Sequence, residues 1–281
     1  MIEQSDMVER IIRFALEEDV GYGDLTTNAV VEGQAAGKAS LIAREELVLA
    51  GLPVFERVFS MLNPDMEFDN YFSEGDLVPA GKKVCLVSGG LPSILEGERT
   101  ALNFLQRMSG IATLTRQYVK KLGVAHARVL DTRKTAPGLR VLDKYAVRVG
   151  GGFNHRFGLF DGVLIKDNHI AAAGSIAKAL MLARENVPHT VKIEVEVEDV
   201  AGVEEALAAG ADAILLDNMS PEDISKAVQV AKGRVLLEAS GGINLESIAA
   251  IAKTGVDLIS VGALTHSAGA ADFSLEIVSA T

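Results

Sequence analysis

Apolar residues recur along this chain in two rhythms, and the change comes near Ala127. Before it the pattern is mixed. From Ser5 to Glu18 the pairs Met7/Val8, Ile11/Ile12 and Ala15/Leu16 fall on one side of a helix, and the breaker Gly21-Tyr22-Gly23-Asp24 follows. The pattern predicts a strand over Gly37–Arg44, a helix over Pro53–Leu62 and an alternating strand over Met66–Phe72. Turn chemistry at Glu74-Gly75-Asp76 and Pro79-Ala80-Gly81 precedes a strand over Lys83–Val87. Pro92–Leu122 has helical spacing, with an interruption expected near Ser109-Gly110. Together these predict a small α+β unit.

Beyond Ala127, strand and helix patterns alternate regularly. Candidate strands are Arg128–Asp131, Gly162–Lys166, Val191–Val197, Ala213–Asp217, Arg234–Glu238 and Asp257–Val261. The helical stretches Val200–Ala209, Pro221–Ala231 and Leu245–Lys253 lie between the later ones. Short, almost wholly apolar strands alternating with amphipathic helices predict a parallel sheet covered by helices. A polar or glycine position closes each strand: Asp131 with its Thr-Arg-Lys loop, then Lys166, Glu196, Asp217, Ser240 and Gly262. In a βα barrel these ends converge on one mouth, where active sites are built. An open doubly wound sheet would also present its strand ends, but around one crevice. Polar ends on every strand favour a barrel, smaller than the usual one.

Length and charge narrow the class. The chain has 281 residues, enough for one large α/β domain or for a barrel with a smaller appended domain. It carries a formal net charge of −11, yet Arg133 to Lys166 holds seven Lys and Arg against Asp143 and Asp161, a local balance of +5. A basic island in an acidic protein suits a small polyanion, whereas nucleic acid calls for a broader basic surface. Cys85 is the only cysteine, which excludes an intrachain disulfide and argues against a cysteine metal site. The start, with Glu3, Asp6, Glu9 and Glu17 among apolar residues, does not have the form of a signal peptide. The Ala-rich run His169–Ala183 contains Lys178, and no stretch has the length and apolarity of a bilayer span. A soluble, cytoplasmic protein with no membrane or nucleic-acid partner is expected.

Candidate chemistry gathers at the expected mouth. Arg133, Lys134, His155, Arg156 and Lys166 form the cationic set, and a half-buried Lys166 at a strand end calls for a partner or an anionic ligand. Glu194 and Glu196 stand two apart on one strand, so they share a face. Facing inward, they could take ribose hydroxyls or Mg²⁺, or they could pair with Lys192 or Lys166. Asp217 is a similar case. Ser240-Gly241-Gly242 and Val261-Gly262-Ala263 follow the last two strands, where backbone N–H groups at a helix start can bind a phosphate. His266 could donate to the same phosphate or be structural.

Five motifs carry a resemblance: Gly21-Tyr22-Gly23-Asp24-Leu25-Thr26-Thr27, Glu98-Arg99-Thr100-Ala101-Leu102-Asn103, Asp131-Thr132-Arg133-Lys134-Thr135, Gly151-Gly152-Phe153-Asn154-His155-Arg156 and Lys166-Asp167-Asn168-His169. With them the chain resembles, from end to end, the quinolinate phosphoribosyltransferases, which are type II phosphoribosyltransferases. The resemblance implies an α/β fold in which an N-terminal α+β sandwich domain (1–122) precedes an incomplete six- or seven-stranded parallel α/β barrel (123–265). A C-terminal segment, 266–281, would be free to return to the first domain. It also implies quinolinate and phosphoribosyl pyrophosphate as substrates, nicotinate mononucleotide, pyrophosphate and CO₂ as products, and a place in NAD biosynthesis.

By the same resemblance Arg133, His155, Arg156 and Lys166, with Thr132, would hold the quinolinate carboxylates, and Arg99 would reach the pocket of a partner subunit. Lys134, Glu196 and Asp217 would serve phosphoribosyl pyrophosphate, its ribose hydroxyls and Mg²⁺. Ser240, Gly241, Gly242, Val261, Gly262, Ala263 and His266 would receive the 5′-phosphate. Lys134, Lys166, Glu196 and Asp217 are the expected catalytic residues. Mg²⁺ would ride mainly on the phosphates, so no dedicated set of protein metal ligands is expected. A homodimer with shared sites, or a higher oligomer, is the implied assembly. The residues alone leave three alternatives open: action on another pyridine or a molybdenum-transport-linked ligand, Schiff-base lyase chemistry at Lys166 or Lys192, and a silent phosphate-sensing barrel.

Overall fold

The computed structural model describes Ile2 and residues 5–280. Glu3 and the outermost ends of the segments 1–122 and 266–281 lie outside the described residues. Contacts divide the chain into two compact units. One comprises Gln117–Lys134 and Gly152–His266; the other comprises the chain up to Arg116, Thr135–Gly151, and the chain from Ser267 onward. This differs from a simple split at residue 122, because the amphipathic helix Arg140–Val149 is grouped by its contacts with the first unit. There Arg107 donates from Nε and Nη2 to the two oxygens of buried Asp143, each at 2.8 Å.

In the first unit, the helix Asp6–Asp19 buries Val8, Ile12 and Leu16, one residue per turn on the face expected from their spacing. The breaker motif becomes a helix start. The Asp24 carboxylate accepts from Thr26 N at 2.9 Å and Thr27 N at 3.0 Å, capping the short helix Leu25–Val30. The Thr27 hydroxyl, more than any other group, holds the Asp24 pKa below the ordinary carboxylate value. Four antiparallel strands form the sheet in the order Phe273–Ala280, Ala36–Ala43, Lys83–Gly90, Glu67–Asn70. The last strand of the chain thus pairs along the first, with Leu275 opposite Leu41. Only Phe273 and Leu275 of its apolar residues are buried, which leaves its sequence pattern short and easily missed.

The interruption expected near Ser109-Gly110 does not occur: one helix runs without a break from Leu91 to Leu122. Both residues serve packing. The Ser109 hydroxyl donates to Ala50 O and accepts from Ala50 N, each at 3.1 Å. A Cβ on Gly110 would lie 1.9 Å from the carbonyl oxygen of Gly269, so only glycine admits the returning chain. In an ordinary helix interior, Gly→Ala stabilises by up to about 1 kcal/mol. Gly110→Ala is expected to reverse that sign and destabilise by about 1–3 kcal/mol, the range for overpacking. Urea unfolding of the variant measures it, and a gain in stability would contradict the close approach.

The second unit holds six parallel strands. They are, in chain order, Arg128–Leu130, Val163–Ile165, Ile193–Val197, Ala213–Asp217, Leu236–Ser240 and Leu258–Ser260, hereafter the first to sixth barrel strands. In the sheet the first strand neighbours the sixth, followed by the fifth, fourth, third and second. The first and second strands are therefore not paired, and the barrel is incomplete there. A single parallel bridge from Leu130 to Phe153 extends the open edge. Along the third strand Ile193, Val195 and Val197 are buried, while Glu194 and Glu196 share the opposite face. Side-chain caps start the covering helices: Ser175, Asp199 and Ser220 each accept a backbone N–H from the first turn.

The fifth strand differs in an informative way. The pattern predicts Arg234–Glu238, whereas the strand spans Leu236–Ser240. The shift moves Glu238 from the strand's end to its middle, with a relative exposure of only 1%.

Candidate active site

The carboxyl ends of all six barrel strands open into one cavity of about 740 Å³, a volume suited to small ligands. The loop after the first strand brings Thr132, Arg133 and Lys134; that loop is held by the Thr132 hydroxyl, which accepts from Lys134 N at 3.0 Å. Thr265 Oγ1 donates to Lys134 O at 2.7 Å and ties the same loop to the end of the sixth repeat. His155 and Arg156 enter from the segment after the Phe153 bridge, and Lys166 from the end of the second strand. Glu196, Asp217 and Ser240 stand on the third, fourth and fifth strands. Gly241 and Gly242 continue from the fifth, and Val261, Gly262, Ala263 and His266 from the sixth.

The sequence-derived set therefore lies around one cavity, with Arg99 excepted. Arg99 is exposed on the helix Leu91–Leu122 in the first unit and does not line this cavity.

Several local devices aim these side chains. Asp131, fully buried, accepts from Asn154 Nδ2 at 2.7 Å and from the His155 backbone N–H at 2.9 Å. It thereby pins the segment that carries His155 and Arg156. Lys166 forms the cap of the next helix: its backbone N–H donates to His169 Nδ1 at 2.9 Å, and its carbonyl accepts from His169 N at 2.8 Å. This leaves the Lys166 side chain turned to the cavity, where Nζ pairs with Glu196 Oε2. Of the two partners the sequence offered for this acid, Lys166 is the one it meets. At the fourth strand, Asn218 takes a left-handed φ of 53° and donates from Nδ2 to Asp217 Oδ2 at 2.7 Å. A Cβ on Gly241 would lie 2.2 Å from Asn218 Oδ1, so glycine is needed for that turn to approach.

The electrostatics favour an anion. Burial first, and then the neighbouring positive charge of Arg133, lowers the Arg156 pKa. Arg156 Nη1 donates to Gly162 O at 2.8 Å, while its buried Nε has no hydrogen-bond partner among the described residues. Two guanidinium groups brought together in this way are stabilised by a carboxylate or phosphate between them.

The pattern reading passed over Glu238. It lines the cavity with its carboxyl 3.5 Å from His155 Nε2, and Glu194 Oε2 reaches the same nitrogen at 3.1 Å. An acid inside the apolar run Val235-Leu236-Leu237-Glu238-Ala239 was the available signal. By distance these three residues could hold a cation. However, His155 Nδ1 accepts from the Arg156 backbone N–H at 2.7 Å. The neutral ring therefore keeps its proton on Nε2, where a metal would have to bind. Glu194 hydrogen-bonds the ring, and Glu238 stands beside the same nitrogen.

Comparison with known proteins agrees over nearly the whole length. Residues 24–109 match the N-terminal domain of quinolinate phosphoribosyl transferase, and residues 111–276 its C-terminal domain. A protein of Bacillus subtilis (strain 168) described as "Probable nicotinate-nucleotide pyrophosphorylase [carboxylating]" is 43% identical over 270 residues, 96% of this chain and 93% of its own. A Synechocystis protein of the same description is 47% identical over 266 residues, 94% of this chain and 90% of its own. The crystal structure of NadC from Streptococcus pyogenes superimposes with a TM-score of 0.94 at 47% identity, covering 98% of this chain and 96% of that one. With both domains matched and the barrel mouth built as described, this chain belongs to the quinolinate phosphoribosyltransferase family.

Proposed function

We propose that this protein transfers the phosphoribosyl group of phosphoribosyl pyrophosphate to quinolinate with decarboxylation, giving nicotinate mononucleotide, pyrophosphate and CO₂ for NAD biosynthesis. One observation carries the reading: a single cavity joins Arg133, His155, Arg156 and Lys166 to the acids Glu196 and Asp217 and to the glycine turns of the last two strands. A dicarboxylate, a ribose and a phosphate are the chemistries these three groups suit. Relatives bear the names nicotinate-nucleotide pyrophosphorylase [carboxylating] and quinolinate phosphoribosyltransferase [decarboxylating].

Arg133, Arg156 and Lys166, with Thr132 and His155 beside them, orient the quinolinate carboxylates so that the pyridine nitrogen faces the ribose C1. Fixing that approach removes entropy from the barrier in place of a covalent nucleophile. Lys134 stabilises charge on the departing pyrophosphate, and the backbone around Ser240–Gly242 and Val261–Ala263, with His266, holds the 5′-phosphate. The pyridine nitrogen forms its bond to C1 as the bond from C1 to the pyrophosphate oxygen breaks. The ring nitrogen is then cationic. The bond between ring C2 and its carboxylate breaks next, the electron pair remaining on C2 beside N⁺, and C2 takes a proton as CO₂ leaves.

Mg²⁺ would neutralise charge on the pyrophosphate. The donors fit it: Glu196 and Asp217 offer hard oxygen ligands at the cavity ends of adjacent strands, and so few protein carboxylates suit an ion carried on phosphates. The same two acids would accept from the ribose hydroxyls. Glu196 also pairs with Lys166 and so orients its ammonium in the cavity.

A homodimer with shared sites completes the proposal, with Arg99 reaching the partner's pocket. The cytoplasm is the proposed location, a reducing compartment suited to the single buried thiol of Cys85. Among the described residues, no helix is long and apolar enough to cross a membrane.

Incubation with quinolinate, Mg²⁺ and phosphoribosyl pyrophosphate tests the reaction, and absence of nicotinate mononucleotide and CO₂ would refute it. Subunit mixing tests the assembly. Inactive Arg99→Ala and inactive Lys134→Ala proteins are expected to recover activity as subunits exchange, since each hybrid dimer would hold one site with both residues intact. Heterodimers that form and stay inactive would place both residues in one chain's site.

A further inference from the structure

Glu238 is the one acid lining the cavity to which the proposed chemistry gives no task. It stands in the middle of the fifth barrel strand, 1% exposed, and its Oε1 has no hydrogen-bond partner among the described residues. The polar and charged groups that act on it come from four elements. Glu194 faces it from the third strand, Ser260 from the sixth, Asp131 from the end of the first, and His155 from the segment after Phe153. His155 is the only basic group among these four.

The imidazole makes the link to the substrate pocket. Its Nε2 lies 3.1 Å from Glu194 Oε2 and 3.5 Å from Glu238 Oε1. Its Nδ1 accepts from the Arg156 backbone N–H at 2.7 Å. One ring therefore spans from a buried carboxyl pair to the backbone of the arginine assigned to quinolinate. The two carboxyl side chains are 12% and 2% exposed, and two such groups facing one N–H are disfavoured as a doubly charged pair. Burial first, then the charge of Glu194, raises the Glu238 pKa to about 7. In its acid form Glu238 can accept from His155 Nε2–H through one oxygen while donating through the other.

We propose that Glu238 is a positioning residue for the dicarboxylate pocket: together with Glu194 it clamps the His155 ring, and the ring in turn fixes the backbone that presents Arg156 to the substrate. The inference rests on the reading of the cavity as a quinolinate site. It predicts an effect on one substrate and not on the other, since Glu238 holds no group assigned to phosphoribosyl pyrophosphate. It also predicts that the neutral amide of glutamine can replace the carboxyl, whereas an apolar side chain of similar size cannot.

The test compares E238Q and E238L in the full chain. KM is measured for quinolinate and for phosphoribosyl pyrophosphate, and Kd for benzene-1,2-dicarboxylate by calorimetry, which needs no turnover. E238L is expected to raise the quinolinate KM and the dicarboxylate Kd at least about tenfold, a loss on the order of 1.4 kcal/mol. The phosphoribosyl pyrophosphate KM should stay within about threefold, the scale of a neutral packing change. E238Q is expected to recover both dicarboxylate constants to within about threefold of the parent. Parent-like constants in E238L, an equal rise for both substrates, or a glutamine variant as impaired as leucine would each overturn the proposal.

Should E238L fail to fold, ¹⁵N NMR of the histidines decides the matter with E238Q. His155 is expected to remain the Nε2–H tautomer in parent and variant, and an Nδ1–H ring in either overturns the clamp. A parent protein that turns over no quinolinate would sink the proposed reaction, yet the dicarboxylate affinities and the tautomer would still decide the part of Glu238.

Discussion

Exchange of quinolinate for nicotinate is expected to lower kcat/KM by roughly 10²- to 10³-fold. The two substrates share a ring and differ by one carboxylate, so the comparison isolates what the cations of the cavity require. Arg156 is already disfavoured as a cation by burial and by Arg133, and its buried Nε has no hydrogen-bond partner among the described residues. Removing one substrate carboxylate leaves part of that charge uncompensated. Breaking a buried ion pair by deleting one partner costs about 3–5 kcal/mol. At about 1.4 kcal/mol per factor of ten this converts to roughly 10²- to 4 × 10³-fold, and the lower part of it, the stated range, applies because Arg133 is exposed. Competing assays with both substrates and a common supply of phosphoribosyl pyrophosphate measure the ratio directly. Comparable efficiencies would remove the dicarboxylate from the account of the pocket.

Glu196→Gln and Asp217→Asn form the second case, in which activity is expected to fall at least about 10²-fold, the effect of deleting one preorganised electrostatic contact. Stability should scarcely change. Both substitutions keep size and hydrogen-bonding capacity. The partner left behind by Glu196→Gln is Lys166, whose side chain is 44% exposed and can be hydrated. A pair of that exposure contributes at most about 1 kcal/mol. For a chain of this size that is a shift in Tm of about 2–4 °C. Asp217 keeps its backbone place opposite Ser240 in the sheet whatever its charge. Activity assays alongside thermal melts separate the outcomes. Variants that melt far below the parent and retain specific activity would make these acids structural ion-pair partners.

The barrel was legible in the sequence because each repeat is local. A run such as Ala213–Asp217 is apolar enough to be a buried strand and is bounded by its own polar end, so its limits match the observed strand. The helix starts at Val200 and Pro221 were local as well, each capped within three residues by Asp199 or Ser220, whereas the helix Ile176–Asn186, capped by Ser175, was not read from the pattern. The order of the polar ends identified the residues that line one cavity before any distance was known. Motif resemblance added the substrate classes, which spacing alone left open between transfer, lyase chemistry and sensing.

What pattern could not decide were interactions between segments far apart in the chain. Ser109-Gly110 carries the signature of a helix break, and only the approach of Gly269, with its oxygen where a Cβ would stand, shows why glycine occurs within an unbroken helix. The strand Phe273–Ala280 depends on a partner more than two hundred residues earlier, Ala36–Ala43, and its short buried run could not announce it. Glu238 is the sharpest example. In sequence it is a polar residue at the apparent end of a strand. In the fold it is buried beside Glu194 and His155, and its charge state depends on neighbours contributed by other strands. Hydrophobic periodicity thus determined which segments fold into strands and helices and which polar residues stand at their ends. The tertiary structure alone decided close approaches and buried charge, because desolvation and Coulomb interactions act through space and not along the chain.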